Sequence, residues 1–163
     1  MLFSGDFLEQ SSLSDPSGIE QGDWLSVRPY WRILEQEVPN SIFVSSDWID
    51  AWLSAYSERI FPRFFLFRDS GEIVGAVMLT ERASLKGPIP IRTLHCYSGG
   101  EGAYRGPHPA FNSFLFRPGY EEKAIEQLLK LLRCLDWDLC DFGSLRSYEL
   151  AKSFASQGSF DLE

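Results

Sequence analysis

The sequence predicts an α/β domain in which helices flank a central sheet. Three observations support this: paired apolar runs within residues 62–79, an amphipathic stretch at 120–135, and a further apolar run at 138–142. Strand-like and helical stretches in this arrangement are typical of a sheet covered by helices. With 163 residues, 44% hydrophobic and 23% charged, the chain is long enough for one domain with its own core.

The central stretch, PRFFLFRDSGEIVGAVML at 62–79, predicts a β-hairpin. Residues 64–67 form a dense apolar run, which is typical of a strand buried on both faces. Residues 68–71, RDSG, predict the turn because Asp and Ser bond the local backbone and Gly accepts positive φ. Residues 73–79 then return as the second strand.

Before the hairpin, the sequence predicts a loose leader, a strand and a helix. Residues 1–18 are rich in Ser, Asp, Gly and Pro and predict the leader. Leu25 and Val27 predict the start of a first strand, which Pro29 limits in length. The first helix is expected at 30–37. Its apolar positions recur at helical spacing, and the dipeptide Pro39-Asn40 ends it; these positions are Trp31, Leu34 and Val38.

A second helix is expected to follow Ser45, Ser46 and Asp47, whose side-chain oxygens can cap its first turn. Four apolar residues then share one stripe, namely Trp48, Trp52, Ala55 and Tyr56. An aromatic stripe can stack on a ligand, but at helical spacing it predicts a core-facing surface.

The remaining elements follow from turn residues and periodicity. They are a turn-rich link at 85–90, a strand at 91–97, a short strand at 111–116, a helix at 120–135, a strand at 138–142 and a final helix at 147–155. In the helix at 120–135, Glu126 and Lys130 have the spacing of an ion pair between successive turns.

Charge and cysteine content limit the class of partner. The net charge of −8 argues against a nucleic-acid-binding surface and against an anionic membrane surface. No apolar run is long enough for a transmembrane helix, and the N-terminus lacks a signal-peptide pattern, so the sequence predicts a cytoplasmic protein. The three cysteines, Cys96, Cys134 and Cys140, lack the CxxC spacing of a zinc ribbon. We expect Cys134 and Cys140 to be small core residues.

A glycine-rich stretch, SGGEGAYRGPHP at 98–109, is the candidate ligand-binding loop. Glycine amides can cradle a phosphate, but the stretch matches neither dinucleotide-binding nor P-loop spacing, and a plain surface loop remains the alternative. Its polar side chains with acid–base or anion-binding chemistry are Glu101, Tyr104, Arg105 and His108.

Other titratable residues are interpreted structurally. His95, at a strand end, is expected to be a satisfied residue at the edge of the core. Asp136, Asp138 and Asp141 are expected on a solvated strand edge rather than around a metal, because no third ligand type is near them in sequence. The sequence therefore predicts no metal site and contains no assignable nucleophile–His–acid set.

Several motifs, in order and spacing, resemble the acetyltransferase-like family linked to cellulose biosynthesis. This family, with BioF2-like domains, is a branch of the GNAT acetyltransferase superfamily related to the FemABX aminoacyl transferases. The resembling pieces are WRIL at 31–34, FVSSDWI at 43–49, FRDSGEIVG at 67–75, VML at 77–79 and FRPG at 116–119. Met78 stands where the family tends to have Pro, and the resemblance runs from about residue 24 to 145.

The resemblance implies a GNAT-like fold, with a mixed, mostly antiparallel central sheet flanked by helices. Residues 19–163 would form a single GNAT-like domain. Members are usually about twice this length with two GNAT-like halves, so the chain resembles the first half of a tandem pair. The superfamily's pyrophosphate-loop pattern would fall around 98–119, and that pattern is absent.

The resemblance leaves two functional hypotheses open. The first is an N-acyltransferase, incomplete alone, that moves an acyl group from acyl-CoA to an amine. Its proton-handling residues would be Glu101, Tyr104 and His108, and its donor-binding residues would be Gly99, Gly100, Gly102 and Arg105. The second is a non-catalytic GNAT-like module that packs against a second half or another copy, with the strand at 138–142 as an unfinished sheet edge.

Overall fold

The computed structural model describes residues 18–39, 41–56, 61–97, 114–142 and 156. Within them, three helices accompany one six-stranded sheet. The strands are β1 (Ile19–Gly22), β2 (Pro62–Asp69), β3 (Glu72–Lys86), β4 (Ile89–Cys96), β5 (Leu115–Phe116) and β6 (Leu139–Asp141). The helices are α1 (Trp24–Glu37), α2 (Ser46–Tyr56) and α3 (Glu121–Cys134), and a 3₁₀ turn spans Ile42–Val44. The predicted α/β class is confirmed.

The sheet is mixed and mostly antiparallel, as predicted. Its strand order is β1-β2-β3-β4-β6, and β5 pairs with β3 beside Gly75 and Ala76. Every pairing is antiparallel except that of β4 with β6, which is parallel. A parallel pair needs a crossover connection, and α3 lies between these two strands in sequence.

The central hairpin forms as predicted. All four apolar residues at 64–67 are buried, and the strands are joined by Ser70 and Gly71. Ser70 has φ of 50° and Gly71 has φ of 88°, the signs that a two-residue hairpin turn requires. β3 runs further than expected, to Lys86, because its second half, from Leu79 to Lys86, pairs with β4.

The prediction of a strand at Leu25 and Val27 was wrong, because both residues lie in α1. The helix begins early because the Asp23 carboxylate accepts a hydrogen bond from the backbone N–H of Ser26 over 2.8 Å. Pro29 is tolerated in the second turn, at the loss of one backbone bond to the Leu25 carbonyl. The predicted helical face is correct and buried; it comprises Trp31, Leu34 and Val38.

The cap predicted for α2 is confirmed, while the predicted stripe is only partly right. The Ser45 hydroxyl accepts a hydrogen bond from the backbone N–H of Trp48 over 3.2 Å. Trp52 is buried, but Trp48 is half-buried and Ala55 is exposed. The buried face is rotated toward Ile49, because α2 packs against α1 rather than over the sheet centre.

The turn-rich link predicted at 85–90 is much shorter in the structure. β3 and β4 continue through most of it, and only Gly87 and Pro88 separate them. Gly87 has φ of 65°, which lets two long strands reverse over two residues. The last residues of β3 and the first of β4 are exposed, so this hairpin projects from the sheet.

α3 and the last strands match their predictions closely. The Glu126 carboxylate accepts a hydrogen bond from Lys130 Nζ over 2.7 Å, as the spacing indicated. The strands expected at 111–116 and 138–142 form as the shorter β5 and β6. Three predicted segments lie outside the described residues: residues 1–17 of the leader expected at 1–18, residues 111–113, and the final helix expected at 147–155.

Candidate functional site at the end of β4

The parallel pair β4–β6 brings two strand ends together at one edge of the sheet. The register aligns Thr93 with Leu139 and His95 with Asp141. In open sheets, ligands bind beyond the carboxyl ends of parallel strands. In this chain β4 ends at Cys96, and the glycine-rich stretch begins two residues later, at Ser98. The carboxyl ends of β4 and β6 therefore define the candidate site.

A histidine and a carboxylate face each other across these two strands. His95 Nδ1 lies 3.3 Å from Asp141 Oδ2. His95 is 6% exposed, whereas the Asp141 side chain is 47% exposed. The residue opposite His95 on β3 is the uncharged, buried Thr80. The expectation that His95 is a core-edge residue is confirmed, and the structure adds its carboxylate partner.

This geometry has a specific chemical consequence. A carboxylate beside Nδ1 favours the tautomer in which Nδ1 carries the proton and Nε2 carries the lone pair. It also stabilises the imidazolium that forms when Nε2 takes up a proton. The same arrangement of acid and imidazole orients general bases in hydrolytic enzymes. The contact therefore fixes the orientation of the His95 ring at the end of β4.

The chain leaves β4 through a strained residue. Tyr97 has φ of 53°, a left-handed conformation that side chains other than glycine seldom adopt. Its ring is buried against Trp31, with ring centroids 6.0 Å apart, and its hydroxyl lies 3.5 Å from the Ala76 carbonyl oxygen. Burial raises the pKa of Tyr97 well above its ordinary value, so the phenol stays protonated. Packing thus fixes the direction in which the chain leaves the sheet.

The thiols near this edge are poor nucleophiles. Burial raises the pKa of Cys96 well above its ordinary value, and burial together with the Asp141 charge raises the pKa of Cys140 to about 12. Cys140 was predicted as a core residue; it is half-buried and packs against the core, so the prediction is partly right. The prediction that Cys134 is a core residue was wrong, because it lies on the exposed side of the last turn of α3.

The carboxylates Asp136, Asp138 and Asp141 are exposed at the strand edge, as predicted, and the two before β6 also accept hydrogen bonds. Arg92 donates from its guanidinium to Asp136. Arg92 also donates from its backbone N–H to Asp138 Oδ2 over 2.8 Å, and the backbone N–H of Asp138 donates to the Arg92 carbonyl over 2.9 Å. These contacts anchor β6 to β4. Among the described residues, no group of three or more His, Cys, Asp and Glu side chains is placed to hold a metal ion.

A shallow groove of about 260 Å³ lies elsewhere, between α1 and the β2–β3 turn. Two arginines line it, and both already pair with carboxylates. Arg68 Nε donates to Glu20 over 2.8 Å, and Arg117 Nε donates to Glu37 over 2.7 Å. Because its cations are neutralised, this groove is a weaker candidate for an anionic ligand than the end of β4.

The seven residues predicted for the site all lie outside the described residues. They are Gly99, Gly100, Glu101, Gly102, Tyr104, Arg105 and His108. Their roles stay predictions. Sequence reasoning missed the contact of His95 with Asp141, since it depends on a parallel register between strands that are far apart in sequence.

Comparison with protein-family models, with curated proteins and with solved structures finds no match to this chain. The resemblance to acetyltransferases therefore rests on the motifs given above. Of the helices in the described part of the chain, none is long and apolar enough to cross a membrane.

Proposed function

We propose that this chain is a GNAT-type N-acyltransferase domain that transfers an acyl group from acyl-CoA to an amine, acting as one half of a tandem or paired enzyme. The observation that supports the proposal is the parallel β4–β6 pair, whose carboxyl ends meet where the glycine-rich stretch begins. Strand ends of this kind supply backbone groups and side chains to a ligand lying across them.

In this proposal the glycine-rich stretch binds the acyl-CoA donor. Backbone amides of Gly99, Gly100 and Gly102 contact the donor, and Arg105 pairs with an anionic group. The donor is a substrate, and the reaction uses no metal. Since all three cysteines, each within the described residues, are free thiols, we propose a reducing compartment, the cytoplasm.

Calorimetric titration of the full chain with acetyl-CoA tests the proposal. We expect saturable binding in the micromolar range, and weaker binding of S-acetylpantetheine, which lacks the pyrophosphate that the glycine amides and Arg105 would contact. Arg105→Gln should weaken acetyl-CoA binding and leave S-acetylpantetheine unaffected. The absence of heat at millimolar acetyl-CoA would contradict a donor site in this chain.

The alternative is a non-catalytic module that packs against a second GNAT-like half or another copy. One observation favours it: β6 is the last strand in the described sheet order, and its residue Leu139 is 54% exposed. An apolar edge strand offers unpaired backbone groups to another chain. A monomer in sedimentation at high concentration would count against pairing between copies. Self-association that Leu139→Lys abolishes would support it.

A further inference from the structure

We propose that two copies of this chain associate by exchanging the hairpin at 81–91, here called the β3–β4 arm. The arm of each copy lies in the groove of the other, the cavity of about 260 Å³ between α1 and the β2–β3 turn. In each contact Ile89 packs against the apolar lining of the groove, and Lys86 pairs with Glu72. This inference goes beyond acyl transfer and does not depend on the binding of a donor.

The β3–β4 arm extends beyond the rest of the described sheet. β2 pairs with β3 only as far as Thr80, and β6 pairs with β4 only from Thr93 onward. In the described part of the chain, the arm between these residues is therefore a ribbon of two strands. Its apolar residues face solvent, since Leu85 is 74% exposed and Ile89 is 62% exposed. A two-stranded ribbon is marginally stable in water on its own, so a surface that covers it stabilises it.

One face of the arm combines apolar and cationic side chains. Lys86 lies opposite Ile89 in the register, and residues opposite each other in an antiparallel pair share a face. Alternation along the two strands adds Arg82 and Ile91 to this face and puts Glu81 on the other. Two isoleucines beside two cations are matched to an apolar surface that has an acidic rim.

The groove has this character. Its lining includes the exposed residues Tyr30 and Ile33. Three carboxylates pair with the two arginines around it, which leaves one negative charge in surplus. Glu72 makes the longest of these contacts, 3.7 Å to Arg117, and its side chain is 74% exposed. The pairing that makes the groove a poor site for an anion therefore leaves Glu72 accessible to a cation.

The length of β3 requires that the groove belong to another copy. β3 has 15 residues and runs from Glu72 at the groove to Lys86 at the tip of the arm. At the rise of a strand these two residues are about 45 Å apart, so the arm does not reach its own groove. Two copies with antiparallel β3 strands place each arm tip beside the other groove. A two-fold axis then gives two identical contacts and a closed dimer.

Charge favours contact of the arm with the body of the partner over contact between two arms. The chain has a net charge of −8, of which the arm contributes +1 through Arg82, Lys86 and Glu81, and the rest of the chain −9. Two arms would therefore repel each other, whereas an arm and the body of a second copy attract.

Sedimentation equilibrium of the full chain at submillimolar concentrations tests the dimer. We expect a reversible monomer–dimer equilibrium that weakens as salt is raised, because exposed ion pairs are screened. Ile89→Ser should weaken dimerisation by roughly tenfold or more, since each of two contacts loses a buried side chain. Leu85→Ser is the matched control, because Leu85 is at least as exposed but lies on the opposite face of the same arm. It should leave the equilibrium unchanged.

Charge reversal identifies the two partners of the contact. Lys86→Glu sets two carboxylates against each other, and Glu72→Lys sets two ammonium groups against each other. Each variant alone should therefore dimerise about tenfold or more weakly than the wild type. An equimolar mixture of the two should dimerise with an affinity close to that of the wild type, because both contacts then join opposite charges. Circular dichroism of each variant checks that the exposed substitutions leave the fold intact.

Several outcomes would overturn the inference. They are a monomeric wild-type chain, a dimer that either charge reversal leaves intact, and a mixture that associates no more tightly than its components. A dimer that Leu139→Lys abolishes would also overturn it, because self-association would then belong to the edge strand β6. Acetyl-CoA binding is measured separately, so this inference and the proposed function can fail independently.

Discussion

The indole of Trp24 and the carboxylate of Asp50 join α1 to α2. Trp24 Nε1 donates to Asp50 Oδ1 over 2.6 Å, and the second oxygen of that carboxylate accepts from the Arg28 guanidinium over 2.5 Å. Asp50 thus satisfies two donors from successive turns of α1. The bond from Arg28 joins two charged groups, and such hydrogen bonds are stronger than those between neutral groups. It is also partly shielded from water.

Replacing Asp50 should destabilise the domain more than replacing Asp47, the other acidic residue of α2. Asp50→Ala leaves the Trp24 N–H and the Arg28 guanidinium without their acceptor, which should lower the free energy of unfolding by roughly 2 kcal/mol. Asp47→Ala is the matched control, because Asp47 is 88% exposed and 3.4 Å from Arg32. It should cost well under about 1 kcal/mol. Urea unfolding of the two variants measures the difference, and equal losses would contradict this account.

The contribution of Asp50 should depend on pH in a defined direction. Burial acts to raise the pKa of Asp50, but hydrogen bonds from Trp24 and Arg28 outweigh it and hold the pKa below its ordinary value of 3.8. Because the folded-state pKa is the lower one, the stabilisation is present above the unfolded-state value and is lost as pH falls through the folded-state value.

We therefore expect the stability difference between wild type and Asp50→Asn to be constant from about pH 7 to 5 and to shrink below about pH 4. Chemical unfolding at stepped pH measures it. A stability difference that grows as the pH falls would mean that folding raises the pKa of Asp50, which would contradict the lowered pKa described above. Asp47→Asn, measured alongside, separates this effect from the general acid sensitivity of the chain.

Gly75 should not tolerate a side chain, because β5 pairs with β3 at this position and Phe116 lies opposite it. A Cβ at this position would lie 2.9 Å from Phe116 Cδ1 and 3.0 Å from Phe67 Cδ2. Gly75→Ala should therefore cost about 1–3 kcal/mol in the free energy of unfolding. Adding Phe116→Leu should recover part of the loss, which a double-mutant cycle detects as coupling. Strictly additive losses would show that the contact with Phe116 is not the cause.

Much of the fold could be predicted because its signals are local. The turn at Ser70 and Gly71, the cap at Ser45 and the amphipathic run of α3 each depend on a few neighbouring residues. The sequence predicts too late a start for α1, at residue 30, because Pro29 suggests a break, whereas Asp23 caps the helix six residues before it. Which face of α2 is buried depends on its packing against α1. The periodicity of the α2 sequence alone does not show where α1 will lie.

The site could be predicted only in part, because it depends on pairing between distant strands. That β4 precedes a glycine-rich stretch is readable in sequence. That Asp141 meets His95 is not, since a shift of one residue in the register would move Asp141 to the other face of the sheet. The pairing of Arg92 with Asp138 has the same origin.

The three cysteines should differ sharply in reactivity. Cys134 is exposed, Cys96 is buried, and Cys140 has a pKa of about 12. At pH 8 the thiolate fraction of Cys140 is on the order of 10⁻⁴, so its alkylation should be slow. Brief treatment of the native chain with iodoacetamide should add one group, which peptide mass spectrometry locates at Cys134. Rapid labelling of Cys96 or Cys140 would contradict the burial described for β4 and β6, and Cys134→Ser should abolish the fast reaction.

Stability should also respond to the two residues of the β2–β3 turn in opposite directions. Ser70 has a positive φ that asparagine adopts more readily, so Ser70→Asn should stabilise the domain by about 0.5 kcal/mol. A Cβ at Gly71 meets nothing within 4 Å, so Gly71→Ala tests backbone strain without a steric clash. At φ of 88° the substitution should cost about 1 kcal/mol or slightly more. Thermal unfolding measures both; a neutral Gly71→Ala would mean that the turn relaxes without cost.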